Sequence, residues 1–214
     1  KRTEIENAAV SFIYISSETA GTSEIFIEDV SMNNIIAQDQ DKEQGGLVLD
    51  GNIDAVIKRI EVSDSRGYGI FSQNAVIAGE DISISGVSSD SKGENGFGMA
   101  LFDGSSSVLS RLKIEKGTVA GLFIDGLCKA EVGNFVINET VSDASGEFGI
   151  GAAVQEEAEL IMDTGIIDSN RESGVMVYNA SVTAVNVAVK DTGPRKCHIE
   201  KTCGFAPGTP FGHG

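Results

Sequence analysis

The 214-residue chain has no Trp, only 3 Pro and only 3 Cys, and aromatic residues make up 6% of it. Three cysteines are too few for a disulfide-knotted scaffold. No run of about 18 apolar residues occurs, so no segment is expected to insert into a membrane. Bases are outnumbered two to one, 16 Lys and Arg against 32 Asp and Glu, for a net charge of -16. A nucleic-acid partner needs clustered bases to displace phosphate counterions, so this balance argues against one. The chain opens on Lys1 and closes on Phe211-Gly212-His213-Gly214, with neither a leader nor a closing element in view. The expectation is a single segment of a longer protein, continuing into further coils.

What the chain has is glycine (26 residues), a hydrophobic share of 41%, and a repeat. A thirteen-residue pattern recurs seven times: from Ser23, Ile53, Ala75, Ser105, Cys128, Ala158 and Ala180. With the first residue of each copy numbered zero, position zero is small in every copy except the one at Ile53. Positions two and four are mostly apolar (Ile25/Ile27, Ala55/Ile57, Leu160/Met162). Positions seven and nine are apolar almost throughout (Val30/Met32, Ile82/Ile84, Phe135/Ile137), with Gly165/Ile167 in the Ala158 copy. Alternation within each half signals two short strands. The change of parity between positions four and seven demands a bend or bulge between them.

A third short strand precedes each of most copies. It opens on glycine and continues apolar, as in Gly46-Leu47-Val48-Leu49, Gly98-Met99-Ala100-Leu101 and Gly121-Leu122-Phe123-Ile124. The following turn often holds Asp-Gly (Asp50-Gly51, Asp103-Gly104, Asp125-Gly126), a pair that tight turns select. Copies start 30, 22, 30, 23, 30 and 22 residues apart. Long coils therefore alternate with short ones, and polar inserts after position nine on the long coils become loops along one edge of a stack. A unit of about 22 residues cannot bury its own apolar face; stacking equivalent strands in parallel, about 4.8 Å apart, does. The segment divides into 1–22 as a first coil of unsettled register, 23–192 as the seven repeats, and 193–214 as a long loop leading into a further coil. In the first coil either Val10/Phe12/Tyr14 or Ile13/Ile15 point inward.

This pattern, over roughly residues 20–192, resembles the right-handed parallel β-helix (pectate-lyase-like) superfamily, in the form of the generic repeats of large secreted or surface bacterial proteins. The resemblance implies an all-β, right-handed, single-stranded parallel β-helix of about seven coils with three short strands each. It leaves function open, because the superfamily includes lyases, hydrolases, adhesins and spacers.

Polygalacturonases of this fold carry Gly-His-Gly, Asn-Thr-Asp, Asp-Asp and Arg-Ile-Lys motifs. Here Gly212-His213-Gly214 matches the first, Arg111-Leu112-Lys113 precedes it where the family order is the reverse, and no Asp-Asp pair exists. No catalytic residue is assigned, because a general acid needs a partner carboxylate nearby. Position six forms an outward column, Asp29, Arg59, Asp81, Arg111 and Asn134, whose first four members read as an alternating charge ladder. Pectate lyases use an Arg and calcium-binding Asp on one such face, so this column is the candidate ligand face; cross-strand charge pairing is the alternative. Calcium is the one candidate cofactor, held by Asp50, Asp103 and Asp125 or by Asp39, Asp41 and Glu43, but their spacing matches neither an EF-hand nor the nonapeptide calcium repeat, and ordinary solvated turns are the favoured account. Cys128 falls in the small-residue column as a packing thiol. Cys197 and Cys203 are a candidate disulfide in the last insert, with a metal site through His198 short of ligands. Phe135 belongs to the core, whereas Tyr14, Tyr68 and Tyr178, the candidates for sugar stacking, are scattered in sequence.

These residues suggest a non-catalytic secreted or cell-surface module that displays loops for adhesion or glycan binding, with a polysaccharide or cell-surface glycan as partner. A polysaccharide lyase or hydrolase with part of its site outside this segment, and a passive spacer, remain the alternatives.

Overall fold

A computed structural model describes residues 2–10, 12–17, 22–35, 45–90, 93, 95–144, 146, 148–193, 195–196 and 210–211. Strands carry the repeat: β1 (Arg2–Val10), β2 (Ile13–Ser17), β3 (Ser23–Ile35), β4 (Gly45–Ser65), β5 (Tyr68–Ser85), β6 (Phe97–Phe102), β7 (Ser106–Glu115), β8 (Ala120–Asp125), β9 (Lys129–Asn138), β10 (Ile150–Gln155), β11 (Glu159–Asp168), β12 (Ser173–Tyr178) and β13 (Ser181–Lys190). All thirteen pair in parallel within one continuous sheet that winds around an axis, a parallel β-helix. Two further strands, β14 (Arg195–Lys196) and β15 (Pro210–Phe211), pair antiparallel and bring together the two ends of the last insert.

The register is the one the repeat dictates. Each copy pairs with the next at equal position numbers: Ser23 with Ile53, Ile53 with Ala75, Val76 with Ser106, Ser106 with Lys129, Lys129 with Glu159 and Glu159 with Ser181. Positions two, four, seven and nine point into the tube and form one apolar core running through the stack. Ile53, the large residue at position zero, is buried between the small Ser23 and Ala75, so a size alternation along the column makes room for it. In the last described coil Val182 and Val187 are only half-buried and Val189 is exposed, because no described coil covers them.

The parity change between positions four and seven is made by a single residue in the left-handed region. Position six has φ between 50° and 58° in all seven copies: Asp29, Arg59, Asp81, Arg111, Asn134, Thr164 and Asn186. Position eleven repeats the device at Asn34, Asp64, Gly86, Lys116, Glu139, Ser169 and Asp191. This conformation costs an L-residue roughly 1–2 kcal/mol except where it is Gly, Asn or Asp. Asp, Asn or Gly accordingly fill four of seven places in each column, and stacking with neighbouring coils imposes the conformation on the rest.

The first coil takes its register from its neighbours. β1 pairs with β3 from Arg2/Glu24 to Val10/Met32 and so forms an eighth, incomplete copy. In β2, which pairs with β4, Ile13 is buried and Ile15 packs against the core, while Phe12 and Tyr14 are 61% and 47% exposed. Ile13 and Ile15 are therefore the inward pair.

The third strand of each coil begins at a crowded corner. One carbonyl at each step receives two amides from the next coil: Gly67 O from Gly96 and Phe97, Gly96 O from Thr118 and Val119, Val119 O from Gly149 and Ile150. The glycines that open these strands stand above one another. A Cβ on Gly98 would lie 2.5 Å from the Gly121 carbonyl oxygen and 2.4 Å from Ile114 Cγ2; Gly69 and Gly121 are confined in the same way. Asn95 borders the outer face of the third-strand sheet.

Candidate functional site

Third strands alternate like any half-buried strand. Leu47/Leu49, Met99/Leu101 and Leu122/Ile124 face the core, so the intervening residues face outward. Parallel pairing sets those outward residues in columns. One column runs Tyr14, Val48, Phe71, Ala100, Phe123, Ala153, Met176. Its neighbours contain Tyr68 beside Phe97 and Gln73 beside Phe102. Coil stacking thus gathers aromatic residues that lie up to 55 positions apart in sequence, from Tyr68 to Phe123.

Five of them form a closed circuit. Ring centroids are 4.9 Å apart for Tyr68–Phe71, 5.4 Å for Phe71–Phe102, 5.5 Å for Phe102–Phe123, 4.5 Å for the stacked pair Phe97–Phe123, and 5.7 Å for Tyr68–Phe97. Edge-to-face and offset contacts of this kind lock aromatic side chains in place. Tyr68 and Phe71 are buried, whereas Phe97, Phe102 and Phe123 stay half-exposed. With Gln73, Asn95 and Asp103 the circuit lines an open cleft of about 400 Å³.

The rim is polar and pre-oriented. Tyr68 donates its hydroxyl proton to Asn95 Oδ1 (2.9 Å), and Asn95 Nδ2 donates to Asp90 Oδ2 (2.9 Å), which holds Asn95 at the edge of the cleft. Gln73 Nε2 donates to Asp103 Oδ2 (2.5 Å). On the adjoining coil, burial pushes the Asp125 carboxyl up; Glu156 and Asp103 repel its charge further, against the opposing hydrogen bonds from Gln155 and the Gly126 amide. A carboxyl whose folded pKa is raised binds its proton more tightly when folded. The stability this contributes is present at low pH and is lost as pH rises through the folded pKa. Asp125→Asn should therefore raise the unfolding midpoint relative to the parent at pH 7 and give no such gain at pH 3. Equal differences at the two pH values would mean that the Asp125 environment is not unfavourable to charge.

The position-six column lies elsewhere. None of Asp29, Arg59, Asp81, Arg111 and Asn134 lines the cleft. Its hydrogen bonds form two clamps, and Asp81 also feels the Arg59 charge of the neighbouring coil. Arg59 donates to both Asp29 oxygens (2.5 and 3.0 Å) and to Glu28. Arg111 repeats this with Asp81 (2.5 and 3.1 Å) and Glu80. Each guanidinium holds its Asp well below the usual carboxylate range, chiefly through these hydrogen bonds. Both clamps are solvent-exposed, so they order the bend more than they stabilise the fold.

Among the described residues no three acidic, His or Cys side chains converge as a metal cage. Asp103 and Asp125 neighbour each other across adjacent coils and engage Gln73 and Gln155, while Asp50 accepts a hydrogen bond from Tyr14 (3.4 Å). Gly51, Gly104 and Gly126 have positive φ, as the tight Asp-Gly turns require. Cys128 is 1% exposed, and burial pushes its thiol up, which suits a packing role and not a nucleophile. Asp39, Asp41, Glu43, Cys197, His198, Cys203 and His213 lie outside the described residues.

The sequence reading missed Phe71, Phe97, Phe102 and Phe123 as site residues. The signal was present: aligning third strands on their opening glycines puts Phe71, Ala100 and Phe123 in register.

A family model described as a right handed beta helix region matches residues 4–189. No curated protein matches the sequence significantly. Two solved structures are similar: pectate lyase Pel9A, with 12% identity, a TM-score of 0.45, and coverage of 90% of this chain and 69% of that one; and the periplasmic alginate epimerase AlgG, with 15% identity, a TM-score of 0.32, and coverage of 80% and 62%. Among the described residues no helix is long and apolar enough to cross a membrane.

Proposed function

The chain belongs to the right-handed β-helix family, and from that premise we propose that it is a non-catalytic module, secreted or displayed at the cell surface, that binds a glycan in the aromatic cleft. The carrying observation is the five-ring circuit with a rim of amides and carboxylates. Sugar rings offer apolar C–H faces and a girdle of hydroxyls. Aromatic faces take the first, and Gln73, Asn95 and Asp103 suit the second. Asn95, held by Tyr68 and Asp90, supports the reading as a pre-oriented polar group, and a passive spacer has no use for one. A secreted or surface location belongs to the same proposal, since polymeric glycans are met outside the cell.

The test is titration of the protein with a panel of tetrasaccharides by calorimetry, alongside Phe97→Ala and Phe102→Ala. Both rings are half-exposed, so their removal leaves the core intact. Each variant should lose about tenfold or more in affinity, as central aromatic anchors do. Absence of binding by any saccharide, or unchanged affinity in both variants, would overturn the proposal.

One observation favours a second reading, glycan cleavage: the Asp125 carboxyl, pushed up by burial, stands behind the rim near enough to Asp103 to feel its charge. A carboxyl pair is what glycoside hydrolysis uses. Release of new reducing ends, abolished in Asp125→Asn, would establish it; intact substrate after prolonged incubation would leave binding as the function.

A further inference from the structure

The described lining of the cleft carries no cationic side chain. Five of its lining side chains are rings, Gln73 and Asn95 are amides, and Asp103 is the one charged type; no Lys or Arg is among the described residues that line it. Acid also stands behind the rim. Asp90 holds Asn95, Asp125 lies close enough to Asp103 for each to oppose the other's charge, and Glu156 adds to that field. The exposed arginines at the bends are spoken for, Arg59 by Asp29 and Glu28, Arg111 by Asp81 and Glu80. The chain as a whole carries -16.

From this juxtaposition we infer that the cleft selects amine-bearing sugars and rejects uronates. The inference rests on the glycan-binding reading and specifies its ligand class. A sugar carboxylate placed against the rings would face Asp103, with no Lys or Arg among the described lining residues to pair with it, and leaving water unpaired is costly. A sugar ammonium in the same place meets the Asp103 carboxylate, which Gln73 holds in position, and the negative faces of five aromatic rings, which attract cations. The long-range field adds to the selection, because an acidic surface raises the local concentration of cationic ligands and lowers that of anionic ones. Neutral sugars keep the stacking and lose the charge contribution.

The experiment compares four β-linked or α-linked tetrasaccharides on the intact protein at mildly acidic pH: a glucosamine tetramer, its N-acetylated form, a glucose tetramer and a galacturonate tetramer. The glucosamine tetramer should bind about tenfold or more tighter than the two neutral ones, and the galacturonate tetramer should not bind. Raising salt should narrow the gap between amine-bearing and neutral ligands while leaving the neutral ones unchanged. Asp103→Asn is the matching variant. Asp103 has φ 50°, a conformation Asn adopts readily, and an Asn carbonyl still accepts from Gln73, so the turn is preserved. It should bring the affinity ratio of the glucosamine tetramer to the neutral tetramers to about one, whatever it does to the affinity they share. Galacturonate binding as tightly as the neutral tetramers, or an amine preference that survives Asp103→Asn, would overturn the inference and leave glycan binding standing. If none of the four bound, the glycan-binding reading would fall and the inference with it.

Discussion

Phe135→Ala is expected to destabilise the protein by about 3–5 kcal/mol, the range for emptying a buried aromatic site. Phe135 occupies position seven of its copy, where other coils carry Val30, Ile60, Ile82, Leu112 and Val187, and it is 2% exposed. The next coil explains how a ring fits. Its paired residue is Gly165, and a Cβ there would stand 2.4 Å from Phe135 Cδ1 and Cε1. The ring of one coil fills the space that the following coil leaves empty. Gly165→Val should accordingly be destabilising in its own right, since overfilling a packed core typically costs about 1–3 kcal/mol. The two changes should not add. In Phe135→Ala/Gly165→Val the new side chain grows into volume the ring has vacated, so the double variant should recover about 1 kcal/mol or more relative to the sum of the singles. Urea unfolding of the parent, both singles and the double measures this directly. Strict additivity would mean that the two residues do not share one volume. For a chain of this length the Phe135→Ala loss corresponds to a drop in thermal midpoint of about 10 °C.

The second large effect belongs to the glycine column. Gly98→Ala should cost about 3 kcal/mol or more, at or above the upper end of ordinary overpacking. Its Cβ would meet the backbone oxygen of Gly121 at 2.5 Å and Ile114 Cγ2 at 2.4 Å. A flexible side chain can swing aside; the carbonyl of the adjoining coil cannot without breaking the parallel ladder it belongs to. Gly104 provides the control. It has φ +80°, but a Cβ there would have nothing within 4 Å. Gly104→Ala should therefore cost only the backbone strain, about 1–2 kcal/mol. Because each coil rests only on its neighbours, the damage at Gly98 should also be local at first. Hydrogen exchange should show lost protection in β6 and β8 before β1 or β13. Equal costs at Gly98 and Gly104 would show that conformation, not close approach, is why glycine opens each third strand.

Both predictions concern features that were only half visible in the residue pattern. Glycine at the head of each third strand is plain in Gly46, Gly69, Gly98, Gly121 and Gly174, but a recurring glycine ordinarily signals positive φ. Here the cause is a neighbouring carbonyl, a fact of stacking that no single coil contains. Position six shows the reverse case. Its Asp and Asn residues are common left-handed residues, yet Arg59 and Arg111 in the same column drew attention to charge and away from conformation. The bend was anticipated from parity, while its placement at one residue was not. The aromatic cleft was legible only in part: the opening glycines put Phe71, Ala100 and Phe123 in register, while the approach of Tyr68, Phe97 and Phe102 depends on how β5, β6 and β8 stack across coils of 29 and 23 residues.

The residue pattern dictates the periodic features: strands from two-residue alternation, coils from a recurring thirteen-residue unit, and parallel stacking from apolar faces too small to be buried alone. These are local or repetitive properties, so each copy restates them. Tertiary structure alone decided what happens between copies. It chose which inward column accommodates Phe135 by leaving Gly165 empty, which of Ile13 and Tyr14 faces the core, and which arginine clamps which carboxylate. It also assembled a five-ring cleft from three coils. Those outcomes depend on volumes and distances across the 22- to 30-residue step from one coil to the next, and winding the chain around its axis is what turns that step into contact.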